Sequence, residues 1–156
     1  MTEFPAISLW QPWASLLFAK RADGQAVKVH ETRNRPVPPK YLGQRILIHA
    51  TRQPIVEAKL HPLLRERCIE HLGPSFARDV PFGAFIGTVL IEDCTLMAMN
   101  GHGEPLVLPA HVDDEVCGYW EEGRWAWRFA DPQEFRTPIE APGYQGWFTA
   151  RIPEMA

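Results

Sequence analysis

The nine-residue stretch KVHETRNRP, which begins at Lys28, concentrates side chains that bind anions and move protons. With strict strand alternation, Lys28, His30 and Thr32 share one face. Glu31 and Arg33 then lie side by side on the other face as an ion pair. A bulge would instead bring Lys28 beside Glu31, a couple that can tune acid–base chemistry. A solvent-exposed edge strand protected by its charge is the third arrangement that the sequence leaves open.

A second candidate site is the stretch SLWQPWASL, where a strand is expected to pass into a helix. Trp10 and Trp13 flank Gln11, so a polar amide stands beside the free N–H groups of a helix start, between two aromatic surfaces. This arrangement is typical of a corner that binds a base or a phosphate. Two buried tryptophans, with Gln11 satisfying the helix start, would give the same pattern.

Marked catalytic motifs are absent from the sequence. Ser8, Ser15 and Ser75 lack a nucleophile-elbow context, and there is no GxSxG, HExxH or GxxxxGK[ST] motif. His102, His111 and Cys117 lie in one segment, but their spacing is irregular for a zinc site. We therefore expect neither a metal nor a cofactor.

Length and composition indicate one globular domain. The 156 residues, 46% of them hydrophobic, suffice for one core and are too few for two, so we expect a single domain over residues 1–156. The sequence has no apolar run of about 18 residues and no positively charged leader, which argues against a membrane protein. The same two absences lead us to expect a cytoplasmic location, and three cysteines without CxxC spacing favour reduced thiols over a disulfide framework or a zinc knuckle.

Charge is unevenly distributed along the chain. Between Lys20 and Arg52, eight lysines and arginines stand against two acids, a local charge of +6 in a chain whose net charge is −3. The remaining acidic charge is concentrated in residues 113–122. One positive face suits a polyanionic partner, although the negative net charge counts against tight, non-specific binding of long nucleic acid.

Periodicity and turn signals predict an α+β fold. The strand candidates are PAISL, AVKVHETR, QRILIHAT, FGAFIGTVLIEDCTLMAM (bent at a glycine), GRWAWRF, FRTPIE and GWFTARI. The helix candidates are QPWASLLFAK, residues 54–72 with Pro62 kinking or dividing them, and a short segment near HVDDEVCGYW. The second half has strands without interleaved helices, which favours a mixed or antiparallel sheet curled toward a barrel.

These stretches together resemble the ASCH domain, the activating signal cointegrator homology family of the PUA-like superfamily. The resemblance runs from Ala6 to Phe148 through AISLWQPWASLLFA, VKVHETR, YLGQRILIHAT, PFGAFIGTVLIEDC, GRWAWRF and PGYQGWF. It implies a small PUA-like β-barrel of mixed and antiparallel strands, decorated by two to three helices, with a cleft between the barrel and the first helix.

The resemblance also implies binding of RNA, other single-stranded nucleic acid or a single nucleotide, in RNA metabolism. The cleft would then include Gln11, Trp13, Lys28, Glu31, Arg33 and His49, bordered by Pro36 and Tyr41. On this hypothesis phosphates meet four basic side chains and a base stacks on Trp13 or on a neighbouring aromatic residue. The four are Lys28, Arg33, Arg35 and Lys40.

The alternative is a metal-independent hydrolase that acts on RNA or a modified nucleoside in the same cleft. An amidohydrolase branch of the family places a nucleophilic threonine three residues after the strand lysine, where this chain has Glu31. Lys28 and Glu31 would be the acid–base pair, and Thr32 or a water the nucleophile. A ribonuclease branch of the family instead implies a lysine, a tyrosine and a hydroxyl, for which this chain has Lys28 or Lys40, Tyr41 and Thr32. A neighbouring carboxylate opposes the lowered pKa that a lysine base needs, so binding ranks above catalysis.

Overall fold

A computed structural model of the chain describes residues 1–154, so the end of the predicted domain at residue 156 lies outside the described residues. The strands are β1 (Thr2–Leu9), β2 (His30–Arg33), β3 (Arg45–Ala50), β4 (Ala84–Leu96), β5 (Trp125–Glu140) and β6 (Phe148–Ile152). The α-helices are α1 (Trp13–Leu16), α2 (Pro62–Leu72), α3 (Phe76–Asp79) and α4 (Val112–Val116). Along these residues no helix is long and apolar enough to cross a membrane.

The strands form one mixed sheet in the order β2-β5-β4-β3-β1-β6. The pair β1–β3 is parallel and the other neighbouring pairs are antiparallel. The predicted α+β class is therefore confirmed. The order leaves β2 and β6 as the two ends of the sheet, so the closed barrel implied by the resemblance is not confirmed.

Two long, bent strands give the sheet its curvature. The register between β4 and β5 shifts at three places, one of them between Phe85 and Gly87, where a bend at a glycine was predicted. A Cβ at Gly87 would lie 2.5 Å from the Phe18 ring and 2.6 Å from the Gln133 carbonyl oxygen, so only glycine fits. The predicted separation of GRWAWRF from FRTPIE is wrong, because both belong to β5, which continues through Asp131 at a φ of 47°.

The first helix is much shorter than predicted. The segment QPWASLLFAK was expected to make three turns, but α1 ends at Leu16. The carbonyls of Leu16 and Ala19 accept hydrogen bonds from the amides of Lys28 and Val27, so the returning chain takes acceptors that a longer helix would use. The helix predicted over residues 54–72 is divided at Pro62, as expected. Pro62 occupies the first turn of α2, where its missing N–H is not needed.

A buried carboxylate joins α4 to the start of β2. Asp114, fully buried, accepts hydrogen bonds from the amides of Val29 and His30 at 2.8 and 2.9 Å, and from that of Ala110 at 2.8 Å. The His30 Nδ1 atom lies 2.7 Å from the second carboxylate oxygen. Burial raises the pKa of Asp114, but these hydrogen bonds outweigh it and hold the pKa at about 2. An ionised carboxylate only accepts, so Nδ1 of His30 carries the proton.

We predict that Asp114→Ala destabilises the fold by about 3–5 kcal/mol, because it leaves buried donors on Val29, His30 and Ala110 without their acceptor. Urea denaturation at neutral pH measures this free energy of unfolding. The exposed Glu122→Ala is the matched control and should change it by no more than about 0.5 kcal/mol. Equal stability of the two variants would show that the Asp114 contacts contribute little.

The Asp114 carboxylate also makes the free energy of unfolding depend on pH in the acidic range. Its pKa is lowered from 3.8 to about 2, so its contribution is complete above the ordinary value and is lost as the pH falls through the folded-state value. A shift of this size corresponds to about 2 kcal/mol. Urea midpoints of the wild type should therefore fall between pH 4 and pH 2 by more than those of Asp114→Ala; parallel curves would contradict this.

Candidate functional site

A groove of about 1030 Å³ lies where the ends of several elements meet. Its floor is formed by the ends of β1 and β3 and by β2, and its walls by α1, the start of α2, the 116–119 segment and the 143–146 loop. Strands β1 and β2 are separated by three strands in the sheet order, yet both contribute to this groove. The curvature of the sheet therefore creates the site.

The groove is basic and has an aromatic rim. Among residues 1–154, four cations line it, against one carboxylate, that of Glu31. The four cations are Arg33, Arg52, Lys59 and Arg124. Three aromatic side chains at the groove, Trp10, Tyr119 and Tyr144, are each 59% exposed. Large exposed rings beside a concentration of positive charge are typical of surfaces that stack bases and bind phosphates.

A buried ionic chain lies beneath the groove. Lys28, only 1% exposed, donates from Nζ to the His30 carbonyl at 2.6 Å and to Glu31 Oε1 at 2.8 Å. Arg33 Nε donates to the other carboxylate oxygen of Glu31 at 2.7 Å. Burial raises the pKa of Glu31, but the charges of Lys28 and Arg33 and their hydrogen bonds lower it below its usual range. Glu31 is therefore ionised and acts as an acceptor.

Two arrangements that the sequence left as alternatives are both present. Strand β2 begins at His30, so Lys28 precedes the alternating segment and can fold back onto Glu31. Within the strand, Glu31 and Arg33 lie side by side as strict alternation requires. The Arg33 guanidinium also donates to the Ser8 carbonyl on β1 at 3.4 Å, which ties the two sides of the groove together.

Five predicted site residues line the groove: Trp13, Glu31, Thr32, Arg33 and His49. The Oγ1 atom of Thr32 accepts a hydrogen bond from the Tyr119 amide at 2.9 Å, and its carbonyl accepts from Arg124 at 3.0 Å. Thr32 thus helps to fix the position of Tyr119, one of the three rings of the rim.

Five other predicted residues lie outside the lining of the groove, as far as residues 1–154 define it. Gln11 is buried, and its side-chain NH2 group donates to the Ser15 hydroxyl and to the Pro81 carbonyl. Its side-chain oxygen accepts from the Ser15 amide, so Gln11 satisfies the start of α1. Lys28 lies beneath the floor, and the carbonyl of Arg35 accepts from the Trp127 indole. The binding role proposed for these side chains stays a prediction.

Lys40 and Tyr41 belong to a separate aromatic stack. The Lys40 ammonium lies 5.1 Å from the centroid of the Tyr41 ring, and Tyr41 stacks on Trp147 with centroids 4.2 Å apart. Neither Lys40 nor Tyr41 is among the described residues that line the groove. The acid–base role considered for Tyr41 also stays a prediction.

Several groove residues are not among those predicted from the sequence. Arg52, Lys59 and Arg124 supply three of its four cations, and Tyr119 and Tyr144 supply two of its exposed rings. Arg124 donates from Nε to the Tyr119 carbonyl at 3.0 Å, and its guanidinium lies 4.7 Å from the centroid of the Tyr119 ring. An arginine close to exposed aromatic residues in the tryptophan-rich segment was the available signal.

His111 and Cys117, which the sequence offered as metal ligands, have other environments in the fold. Across residues 1–154, no group of three or more His, Cys, Asp or Glu side chains could hold a metal ion. His111 accepts from the Asp114 amide and bonds the Ala26 carbonyl, so it caps α4. Cys117 lines the groove, but burial raises its pKa to about 12, so the thiol stays protonated.

Comparison with known proteins gives structural likeness alone. The chain matches no family model and no curated protein. It is similar to a crystal structure of ASCH from Zymomonas mobilis, with 21% identity over 94% of this chain and 87% of that one and a TM-score of 0.48. A tyrosine-to-phenylalanine variant of that protein gives 20% identity over 97% and 91% of the two chains and a TM-score of 0.44. The sequence motifs resemble the family whose name these structures carry.

We predict that Lys28→Met destabilises the fold by about 3–5 kcal/mol, because the buried Oε1 atom of Glu31 loses the ammonium that donates to it. The exposed Lys20→Met is the matched control and should change the free energy of unfolding by at most about 0.5 kcal/mol. In a double-mutant cycle by urea denaturation, Lys28→Met combined with Glu31→Gln should lose less than the sum of the single losses. Additive losses would contradict the coupling.

Proposed function

We propose that the groove binds a nucleotide or a short single-stranded nucleic acid, most simply RNA. The observation that carries this proposal is the pairing of four cations with three exposed aromatic rings around one concave site. Phosphates need positive charge, and unpaired bases need flat surfaces on which to stack. A surface that offered only one of the two would fit many other ligands.

The charge of the groove supports this proposal. Glu31, its one carboxylate, is already engaged by Lys28 and Arg33, so its negative charge is compensated before any ligand arrives. Arg52, Lys59 and Arg124 remain to meet phosphates, in a chain whose net charge is −3. Positive charge confined to one groove suits a short ligand, because a long polyanion would also meet the acidic remainder of the surface.

The size and the rim of the groove fit the same ligand class. A volume of about 1030 Å³ is at the upper end of small-ligand sites and leaves room for one or two nucleotides. Trp10 projects from the end of β1, and Tyr119 and Tyr144 lie on segments that line the same groove. Bases stacked on these rings would gain about 1–3 kcal/mol each.

The hydrolase alternative built on Lys28 and Glu31 gains less support. The Lys28 ammonium already donates to two oxygen atoms beneath the floor, and Glu31 is held ionised between two cations. A general base must accept a proton from the substrate, which both contacts oppose. We therefore assign this pair to positioning Arg33 and the floor of the groove.

The first test of the proposal is salt dependence. Fluorescence anisotropy with a labelled eight-nucleotide RNA should give a log K that falls linearly with log salt, and Arg52→Ala should reduce the slope by about 0.7, the loss of one phosphate contact. Arg78→Ala is the matched control, because Arg78 is exposed on α3 outside the lining of the groove. No binding at low salt, or equal slopes in both variants, would overturn the proposal.

The second test is base stacking. Trp10→Ala should lower the affinity for the same RNA by about 5- to 150-fold, which corresponds to about 1–3 kcal/mol. The slope of log K against log salt should change little. Leu108→Ala removes another exposed apolar side chain, 65% exposed and outside the groove, and should leave the affinity unchanged. Similar affinities of the two variants would remove Trp10 from the site.

A further inference from the structure

A serine and a histidine meet at the floor of the groove. Ser8 Oγ lies 3.2 Å from His49 Nδ1, and both residues line the groove. The two are 41 residues apart in sequence but stand opposite each other where β1 and β3 run in parallel. A hydroxyl within reach of an imidazole is the basic arrangement of an activated nucleophile.

The other ring nitrogen of His49 determines the tautomer. His49 Nε2 lies 2.8 Å from the Ala141 carbonyl oxygen, which only accepts, so Nε2 carries the ring hydrogen. Nδ1 of the neutral ring then has a free lone pair directed at the Ser8 hydroxyl. Burial lowers the pKa of His49 and the charge of Arg52 lowers it further, against the Ala141 hydrogen bond, which raises it. The imidazole is therefore neutral at pH 7 and can accept a proton.

The 143–146 loop keeps the pair in register. A Cβ at Gly143 would lie 2.6 Å from His49 Nδ1 and 2.8 Å from Ser8 Oγ. No larger residue fits at Gly143 without moving the ring or the hydroxyl. The loop therefore packs its backbone directly on the two side chains while its next residues line the groove.

We propose that Ser8 is a nucleophile and His49 its general base, and that the groove hydrolyses carboxylic esters which carry an anionic group. Ala141 is the positioning residue, because its carbonyl orients the imidazole. The part of this inference that concerns the anionic group rests on the proposed function, since both depend on the cations of the groove. The nucleophile itself does not depend on it.

The reaction balances with water as the only co-reactant. Ser8 Oγ bonds to the ester carbonyl carbon while its proton passes to His49 Nδ1; the bond to the alcohol oxygen then breaks, and that oxygen takes the proton from Nδ1. Water attacks the acyl-serine, Nδ1 takes its proton, and the bond from the acyl carbon to Oγ breaks with return of the proton to Oγ. The products are a carboxylic acid and an alcohol.

The surroundings suit the negative charge that develops on the carbonyl oxygen. The Arg33 guanidinium lies against Ser8 through its hydrogen bond to the Ser8 carbonyl, and its side chain is 37% exposed at the groove. Arg52 is close enough to lower the pKa of His49. Arg33, held by its hydrogen bonds to Glu31 and the Ser8 carbonyl, would stabilise an oxyanion, and Arg52 near His49 would hold an anionic group of the substrate.

The test is covalent labelling with a neutral fluorophosphonate, followed by peptide mass spectrometry of the whole chain. We expect one adduct, on Ser8, with a rate that rises with pH and is half-maximal below pH 6.5, because deprotonation of His49 activates the hydroxyl. Absence of an adduct on Ser8 between pH 5 and pH 9 would overturn the assignment.

Three variants separate a catalytic role from a structural one. Ser8→Ala should abolish the adduct, and His49→Gln should slow labelling by at least about 100-fold and remove its pH dependence. Gly143→Ala should slow labelling while circular dichroism shows an intact fold. Ser75→Ala is the control and should label like the wild type, because Ser75 lies outside the lining of the groove. Labelling of Ser8 that His49→Gln leaves unchanged would overturn the role of His49.

Two esters test the substrate class independently of the adduct. We expect faster hydrolysis of mono(4-nitrophenyl) glutarate, an anion, than of neutral 4-nitrophenyl butyrate, and Arg52→Ala should remove the difference. Equal rates with Ser8 still labelled would overturn the anionic class, whereas failure of RNA binding with Ser8 still labelled would overturn the proposed function alone.

Discussion

The hydrogen bonds of one buried carboxylate set the geometry on which the groove depends. Asp114 holds the amides that begin β2 and the ring of His30, so it fixes where the strand starts and which way it faces. From that start, Glu31 and Arg33 point into the groove and Lys28 lies beneath it. The acidic segment 113–122, which by charge alone suggests a solvated loop, thus supplies the anchor of the basic site.

The sequence predicted the element types well where local chemistry decides them. Pro62 marks the start of α2, and alternating side chains mark β3, because both signals act within a few residues. The length of α1 depends instead on Lys28 and Val27, whose amides come from a later part of the chain and donate to the carbonyls of Leu16 and Ala19. Likewise β5 is continuous because β4 pairs with it along its length, a partner that local breakers such as Pro132 and Pro138 do not reveal.

The site was only partly predictable for a related reason. The stretch KVHETR contains its own pairing, so Glu31 and Arg33 could be placed together from alternation. The contact of Ser8 with His49 arises from the parallel pairing of β1 with β3, and nothing local to either residue encodes that register. Arg52 and Lys59 reach the groove from segments without strong periodicity. Residues that belong to one strand are visible in the sequence, and residues that meet across strands are not.

The contact between Arg33 and the Ser8 carbonyl joins two strands that are not neighbours in the sheet. Strand β6 pairs with β1 only from Thr2 to Ala6, so beyond that point one side of β1 has no neighbouring strand and faces β2. One guanidinium, at 3.4 Å from the Ser8 carbonyl, spans this gap where a continuous ladder would use many backbone hydrogen bonds. The groove is therefore closed at this point by a side chain, whereas neighbouring strands of the sheet are joined by backbone pairing. A ligand in the groove meets a side-chain contact there, and that contact belongs to no backbone ladder between strands.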